Sequence, residues 1–170
     1  MVVRNRTWIV AVLVGAGALG WWLLRPSDER YLTSQLVQLA RTLEKSGPES
    51  VLETAQRATA VANAMAEDVI VESSRPELGT LRGRADVRQA VAQARASVHE
   101  LQIELFDINT KLEPGRTTAV QRCTVRAVGQ LHGRSERGTT EVEVRWIRQS
   151  EGWRIGHVQM VEVVRPLPDA

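Results

Sequence analysis

Two hydrophobic periods run along this chain, a helical one in the middle and a period of two in the last third. Val120, Arg122, Thr124, Arg126 and Val128 alternate with Ala119, Gln121, Cys123, Val125 and Ala127. That alternation predicts a pleated strand with one mostly polar and one mostly small, apolar face. Glu141 to Arg148 repeats it, with Val142, Val144 and Trp146 opposite Glu141, Glu143 and Arg145, and Gly152 to Val164 supplies a third run. Gln149 to Gly152 reads as the hairpin turn between the last two, its glycine able to take a positive φ. Upstream, Leu32, Leu36, Leu39 and Leu43 recur at helical spacing from Asp28 onward, with Val37 and Ala40 widening the stripe. Ser46, Gly47 and Pro48 stop that helix. A second helix is predicted from Glu49 to Ala66, with Leu52, Ala55, Ala58 or Thr59, Ala62 and Met65 on one face. Glu67 to Glu72 reads as a short strand, Ser73 to Gly83 as a loop, and Arg84 to Ser97 as a third helix turning Val87, Val91 and Ala94 inward. Leu101, Ile103 and Leu105 alternate in a further strand to Asp107, and Pro114-Gly115 turns the chain into the three-strand run.

Ahead of all this, Trp8 to Leu24 is a run of 17 residues without a charge. As a helix it would be about 25 Å long, at the low end of what crosses a bilayer. Trp8 at one end and Trp21 with Trp22 at the other suit interfacial aromatic belts. Ala16-Gly17-Ala18 offers a signal-peptidase site, but cleavage there would leave a mature terminus opening on Leu19-Gly20-Trp21-Trp22. The expected organisation is a cytoplasmic leader at 1–7, a transmembrane helix at 8–24, a juxtamembrane linker at 25–31 and one domain at 32–170. The short N-terminus with Arg4 and Arg6 is expected to stay inside, which puts the domain on the extracytoplasmic side of the inner membrane. The bilayer is therefore the first expected partner.

Charge narrows the function classes. Setting aside Arg4, Arg6 and Arg25 leaves 19 basic residues against 20 acidic ones. A near-neutral domain with singly scattered arginines does not describe a phosphate-binding groove, and no nucleic-acid partner is expected. Cys123 is the only cysteine, so no intrachain disulfide forms. His99, His132 and His157 fall on separate predicted elements without ligand spacing, and no metal site is expected. No phosphate loop or nucleophile turn occurs, and no cofactor is expected.

The order helix, helix, strand, helix, then four long antiparallel strands predicts an α+β domain of three helices packed on a curved, mainly antiparallel sheet. With Leu81 to Val91 leading into the third helix, and Ser150-Glu151-Gly152-Trp153-Arg154-Ile155-Gly156-His157 opening the last strand, the chain resembles the nuclear transport factor 2-like superfamily, in particular its SnoaL-like members. The resemblance spans Leu32 to Val164 and implies a cone-shaped domain with a cavity between sheet and helices. An anchor followed by such a domain also looks like the inner-membrane assembly factors of type IV secretion systems, although no diagnostic motif of theirs is present.

Two functional readings compete. Enzymes of this fold imply an Asp, Tyr or His reaching into the cone, and here Asp68 and His157 are the catalytic candidates, with Gln121, Cys123 and His157 lining the pocket. The lone tyrosine, Tyr31, stands beside the anchor. Each candidate also has a plainer role: Asp68 as a helix-end residue, Cys123 as a small buried hydrophobe, and His157 as a hydrogen-bonded rim residue. The other reading takes the polar sheet face, Arg122, Arg126, Glu141, Glu143 and Arg145, as an interface with a partner protein or a second copy. We expect a membrane-anchored binding or assembly module of a bacterial membrane complex, with a cone-pocket ligand binder or proton-transfer enzyme as the alternative.

Overall fold

A computed structural model describes residues 27–74, 79–131 and 134–164. The apolar run at 8–24, and the anchor read from it, lie outside the described residues. Among the described residues no helix is long and apolar enough to cross a membrane.

Helix α1 (Asp28–Leu43) starts inside the expected linker, because Ser27 caps it by accepting the Arg30 N–H at 3.3 Å. Asp28 and Glu29 in the first turn and Arg41 in the last complement the helix dipole. A two-residue strand β1 (Lys45–Ser46) follows, then helix α2 (Val51–Asn63). The start of α2 is set by a capping box: the Ser50 hydroxyl accepts the Glu53 N–H and the Glu53 carboxylate takes the Ser50 N–H at 2.8 Å. The Ser-x-x-Glu signature was available in the sequence and places the start of α2 two residues later than Glu49.

The far end of α2 also differs from expectation. Met65 and Ala66 belong to strand β2 (Met65–Ser73), not to a helix, and both are buried. Ala58, Val61 and Ala62 form the inner face of α2, whereas Leu52 is 67% exposed and Val51 88% exposed. A helical stripe read through Leu52 and Ala55 is therefore rotated off the true one. Alanine-rich helices carry a weak hydrophobic contrast, so the packing partners choose the buried face.

The predicted loop after β2 holds a short strand, β3 (Thr80–Arg82), and then Gly83 leads into helix α3 (Arg84–Ser97). Gly83 has φ 84° and donates its N–H to the Val69 carbonyl at 2.7 Å. A side chain there would press on the Glu67 carbonyl at 3.4 Å, in a backbone conformation that L residues rarely take. Four long strands complete the chain: β4 (Val98–Leu112), β5 (Thr118–Leu131), β6 (Arg134–Gln149) and β7 (Gly152–Val164). The first three run further than their hydrophobic alternation, because backbone pairing carries the ladder through polar stretches such as Arg134–Thr140, whereas β7 keeps its expected bounds.

The seven strands form one sheet in the order β1-β4-β5-β6-β7-β2-β3. Every pairing is antiparallel except β2 with β7, so the sheet is mixed. The register shifts between Phe106 and Asn109 on β4, between Glu141 and Val142 on β6, and between Arg145 and Trp146. Such bulges bend a sheet and strengthen its twist, which is how long strands wrap around three helices.

The core lies between the helices and the inner sheet face. Leu32, Leu36, Val61, Val69, Val87, Ala119, Val144, Trp146, Trp153 and Ile155 meet there. A second, polar knot ties the far end. Arg95, almost wholly buried, donates to the Thr42, Leu43 and Glu44 carbonyls that close α1, and holds the Glu49 carboxylate through two nitrogens. Lys45 donates to the Arg95 and Val98 carbonyls at 2.6 and 2.7 Å. One arginine thus satisfies the orphan carbonyls of α1 and joins it to α3 and the start of α2. The Arg95 hydrogen bond holds the Glu49 carboxyl below the usual carboxylate range, against a smaller opposing push from burial.

Candidate functional site

The two sheet faces hold two candidate sites, and strand alternation decides which residue joins which. On β5, Ala119, Gln121 and Cys123 point inward and are buried, while Arg122 and Arg126 point out. On β6, Val144 and Trp146 are buried inward.

Inside, Gln121, Trp146, Thr110 and Thr33 spend their polar groups on one another. The Trp146 indole N–H donates to Gln121 Oε1 at 2.9 Å, and Gln121 Nε2 donates to Thr110 Oγ1 at 2.8 Å. Thr33 on α1 joins through a hydroxyl contact of 3.2 Å to Thr110. Gln121 is fully buried, so this chain of bonds is what makes its burial tolerable. Burial pushes the Cys123 thiol up to about 11, which leaves it protonated and a poor nucleophile at neutral pH.

The two catalytic candidates do not join Gln121 and Cys123. Asp68 is exposed, at the place where the β2–β7 register breaks between Met65 and Ile70. His157 sits on the outer face. Regular alternation would have kept it with Trp153 and Ile155, but the register shift at Arg145/Trp146 interposes Gly156. After it Val158 faces the core and His157 pairs across the sheet with Arg145. Gly156 is the residue that permits this, since a Cβ there would meet the Ile147 side chain at 3.3 Å. Outside, His157 Nε2 lies 3.4 Å from Glu72 Oε2. The glycine at 156 was the sequence signal for a bulge.

The outer face gathers all five residues read as an interface. Arg122 Nε donates to Glu143 Oε2 at 2.8 Å, and Arg145 Nη2 lies 3.9 Å from the other Glu143 oxygen. Arg126 stacks over the Phe106 ring at 4.7 Å and reaches Glu104 at 3.4 Å. Glu141 lies beside Thr124 across the β5–β6 pair. Beside them is a groove of about 560 Å³ lined by Asp107, Arg122, Thr124, Glu141, Glu143 and Gln159 together with Val142 and Cys123, the one expected pocket residue that borders it. Bulges flank the groove: Asp107 has φ 53° within the β4 register shift, and the β6 shift falls at Glu141/Val142. Asp107 and Gln159 lay outside the sequence reading of the site, because their place in this groove depends on the bulges.

Among the described residues no group of three His, Cys, Asp or Glu side chains could hold a metal ion.

The family model for the SnoaL-like domain matches residues 52–159. This chain belongs to the SnoaL-like family. A proposed aromatic ring hydroxylase from Novosphingobium aromaticivorans is similar in structure, with TM-score 0.65 and 21% identity over 85% of this chain and 95% of that one. A proposed scytalone dehydratase from the same organism superposes with TM-score 0.61 and 14% identity, covering 84% of this chain and 95% of that one. An NTF2-like superfamily protein from Salmonella enterica gives TM-score 0.55 and 13% identity over 66% and 83% of the two chains. At these identities the likeness shows the shared fold, an α+β cone of three helices on a mixed seven-stranded sheet. No curated protein matches the chain.

Proposed function

We propose that this chain is a membrane-anchored, extracytoplasmic binding and assembly module of a bacterial membrane complex, and that it works through the outer face of its sheet. One contrast carries the reading: inside the cone Gln121 is consumed by Trp146 and Thr110, whereas outside a groove of about 560 Å³ presents charged side chains to solvent. Exposed ion pairs add little to stability, so a lattice of them across neighbouring strands serves recognition and register better than folding. The uncharged run at 8–24 supplies the tether and the bilayer as a partner.

The test is co-purification of the full-length chain from native membranes in gentle detergent. Partners, or a second copy, should be retained by wild type and by the Asp68→Ala/His157→Ala double variant, and lost from Arg122→Glu/Arg126→Glu. Loss in the first double variant with retention in the second would reject the reading.

One atom favours the second reading, a small-ligand binder or proton-transfer enzyme. Trp153 Nε1–H is buried with no acceptor among the described residues, a donor that a small bound molecule would satisfy. A ligand screen against the Arg30–Ala170 fragment, read by thermal shift, tests it. A hit that Trp153→Phe abolishes supports the pocket.

A further inference from the structure

We infer that the end of the domain carrying Ser27, built from the first turn of α1 and the β4–β5 and β6–β7 turns, rests against the phospholipid headgroups of the membrane. The inference rests on reading 8–24 as an anchor, and adds which surface of the domain meets the bilayer.

Only Arg25 and Pro26 separate Leu24 from the capping residue Ser27. Three chain steps, from Leu24 to Ser27, reach at most ~11 Å, so α1 begins close to the membrane surface at which the apolar run ends. Two turns are fixed beside that point. The Arg148 N–H donates to the Thr117 carbonyl at 2.7 Å, joining the end of β6 to the β4–β5 turn. The Arg148 guanidinium lies 3.6 Å from Asp28 and 5.6 Å over the Trp153 ring, joining both to α1. Whatever holds Ser27 at the membrane therefore brings Pro114–Thr117 and Gln149–Gly152 to it as well.

The chemistry of this end suits a headgroup layer. Tyr31 is 42% exposed on the first turn of α1, an amphipathic ring of the kind that settles at membrane interfaces. Arg30 and Arg116 are exposed and form no ion pair with another described residue, whereas Asp28 pairs with Arg148 and Glu151 with Arg154; Glu29 and Glu113, the latter accepting the Thr118 hydroxyl, are exposed at the same end. Arg116 stands out on a turn residue with φ 56°. Its guanidinium and that of Arg30 can each take a lipid phosphate. At the other end, β1 lies a full α1 length away, about 24 Å along the axis.

The experiment uses the full-length chain in vesicles of phosphatidylcholine with a minority of phosphatidylglycerol. A fluorophore is placed on Ser150→Cys, in the β6–β7 turn, or on Ser46→Cys, in β1. The native Cys123 is buried and its thiol is pushed up to about 11, so labelling selects the new cysteine. Lipids carrying a headgroup nitroxide should quench the probe at 150 strongly and the probe at 46 weakly. Equal quenching at the two positions, or none at 150, in protein that floats with the vesicles would overturn the orientation while leaving the anchor intact. Protein that fails to float with the vesicles would overturn the anchor and this inference together.

Discussion

The two faces of the sheet are built from the same strands, yet they are governed by different physics. The inner face is dry: Trp146, Ile155, Val69 and Leu32 are fully buried there, and Gln121 is admitted only with its hydrogen bonds complete. The outer face is wet, and its Arg122–Glu143 and Arg126–Glu104 pairs stand in water, where they are screened and cost side-chain entropy. Removing a side chain inside should cost folding. Removing one outside should cost binding.

The sharpest way to break that division is Trp146→Ala. It opens a cavity and strips Gln121 of its donor, so we expect a loss of about 4 kcal/mol in chemical denaturation. A loss under about 1 kcal/mol would mean that the inner face is not the core. Arg95→Ala should come next, at about 3 kcal/mol, since it leaves Glu49 with only the half-exposed Arg57 as ion-pair partner and leaves the Thr42, Leu43 and Glu44 carbonyls uncapped. Gln121→Leu fills the volume but leaves the Trp146 N–H without an acceptor, and the expected cost is about 1–3 kcal/mol by the same denaturation assay.

Acid probes the Arg95 knot separately. The Glu49 carboxyl is held below its ordinary value in the folded chain, so the unfolded chain binds its proton first as pH falls. Its contribution is complete above the unfolded value of about 4.3 and fades as pH drops through the lower folded value. Glu49→Gln should flatten the stability–pH curve in that range and leave it unchanged near pH 7 in shape, though lower in height. The smallest effect belongs to the outer face. Arg122→Glu should lower the unfolding free energy by less than about 1 kcal/mol while weakening partner retention, and a large loss of stability with partners retained would reverse the comparison.

Tyr31, Arg30 and Arg116 form a third region whose role is read only when the membrane is present. Their exposure is no cost to the isolated domain, and the vesicle measurement is where they differ from ordinary surface residues.

Much of this was legible in the chain alone. The period of two sorted Ala119, Gln121 and Cys123 from Arg122 and Arg126 correctly, because a strand flanked by solvent on one side must alternate. The Leu32, Leu36 and Leu39 stripe set α1, and Arg84–Ser97 emerged with its observed bounds. The α+β order and the SnoaL-like resemblance followed from these elements and from the Gly152–Ile155 strand opening. What local pattern could not supply was decided by long-range pairing. A single bulged residue, Gly156, moved His157 to the outer face and out of the pocket expected with Gln121 and Cys123, because a sheet register is fixed by its neighbour strand and not by its own sequence. Leu52 and Ala55 turned outward because α3 and β2 choose which side of an alanine-rich helix is covered. The Arg95 knot brings together residues some 50 positions apart, and the Asp107 groove joins β4 to β5, β6 and β7. Sequence determined which residues prefer water and which avoid it; the tertiary structure alone decided which of them meet.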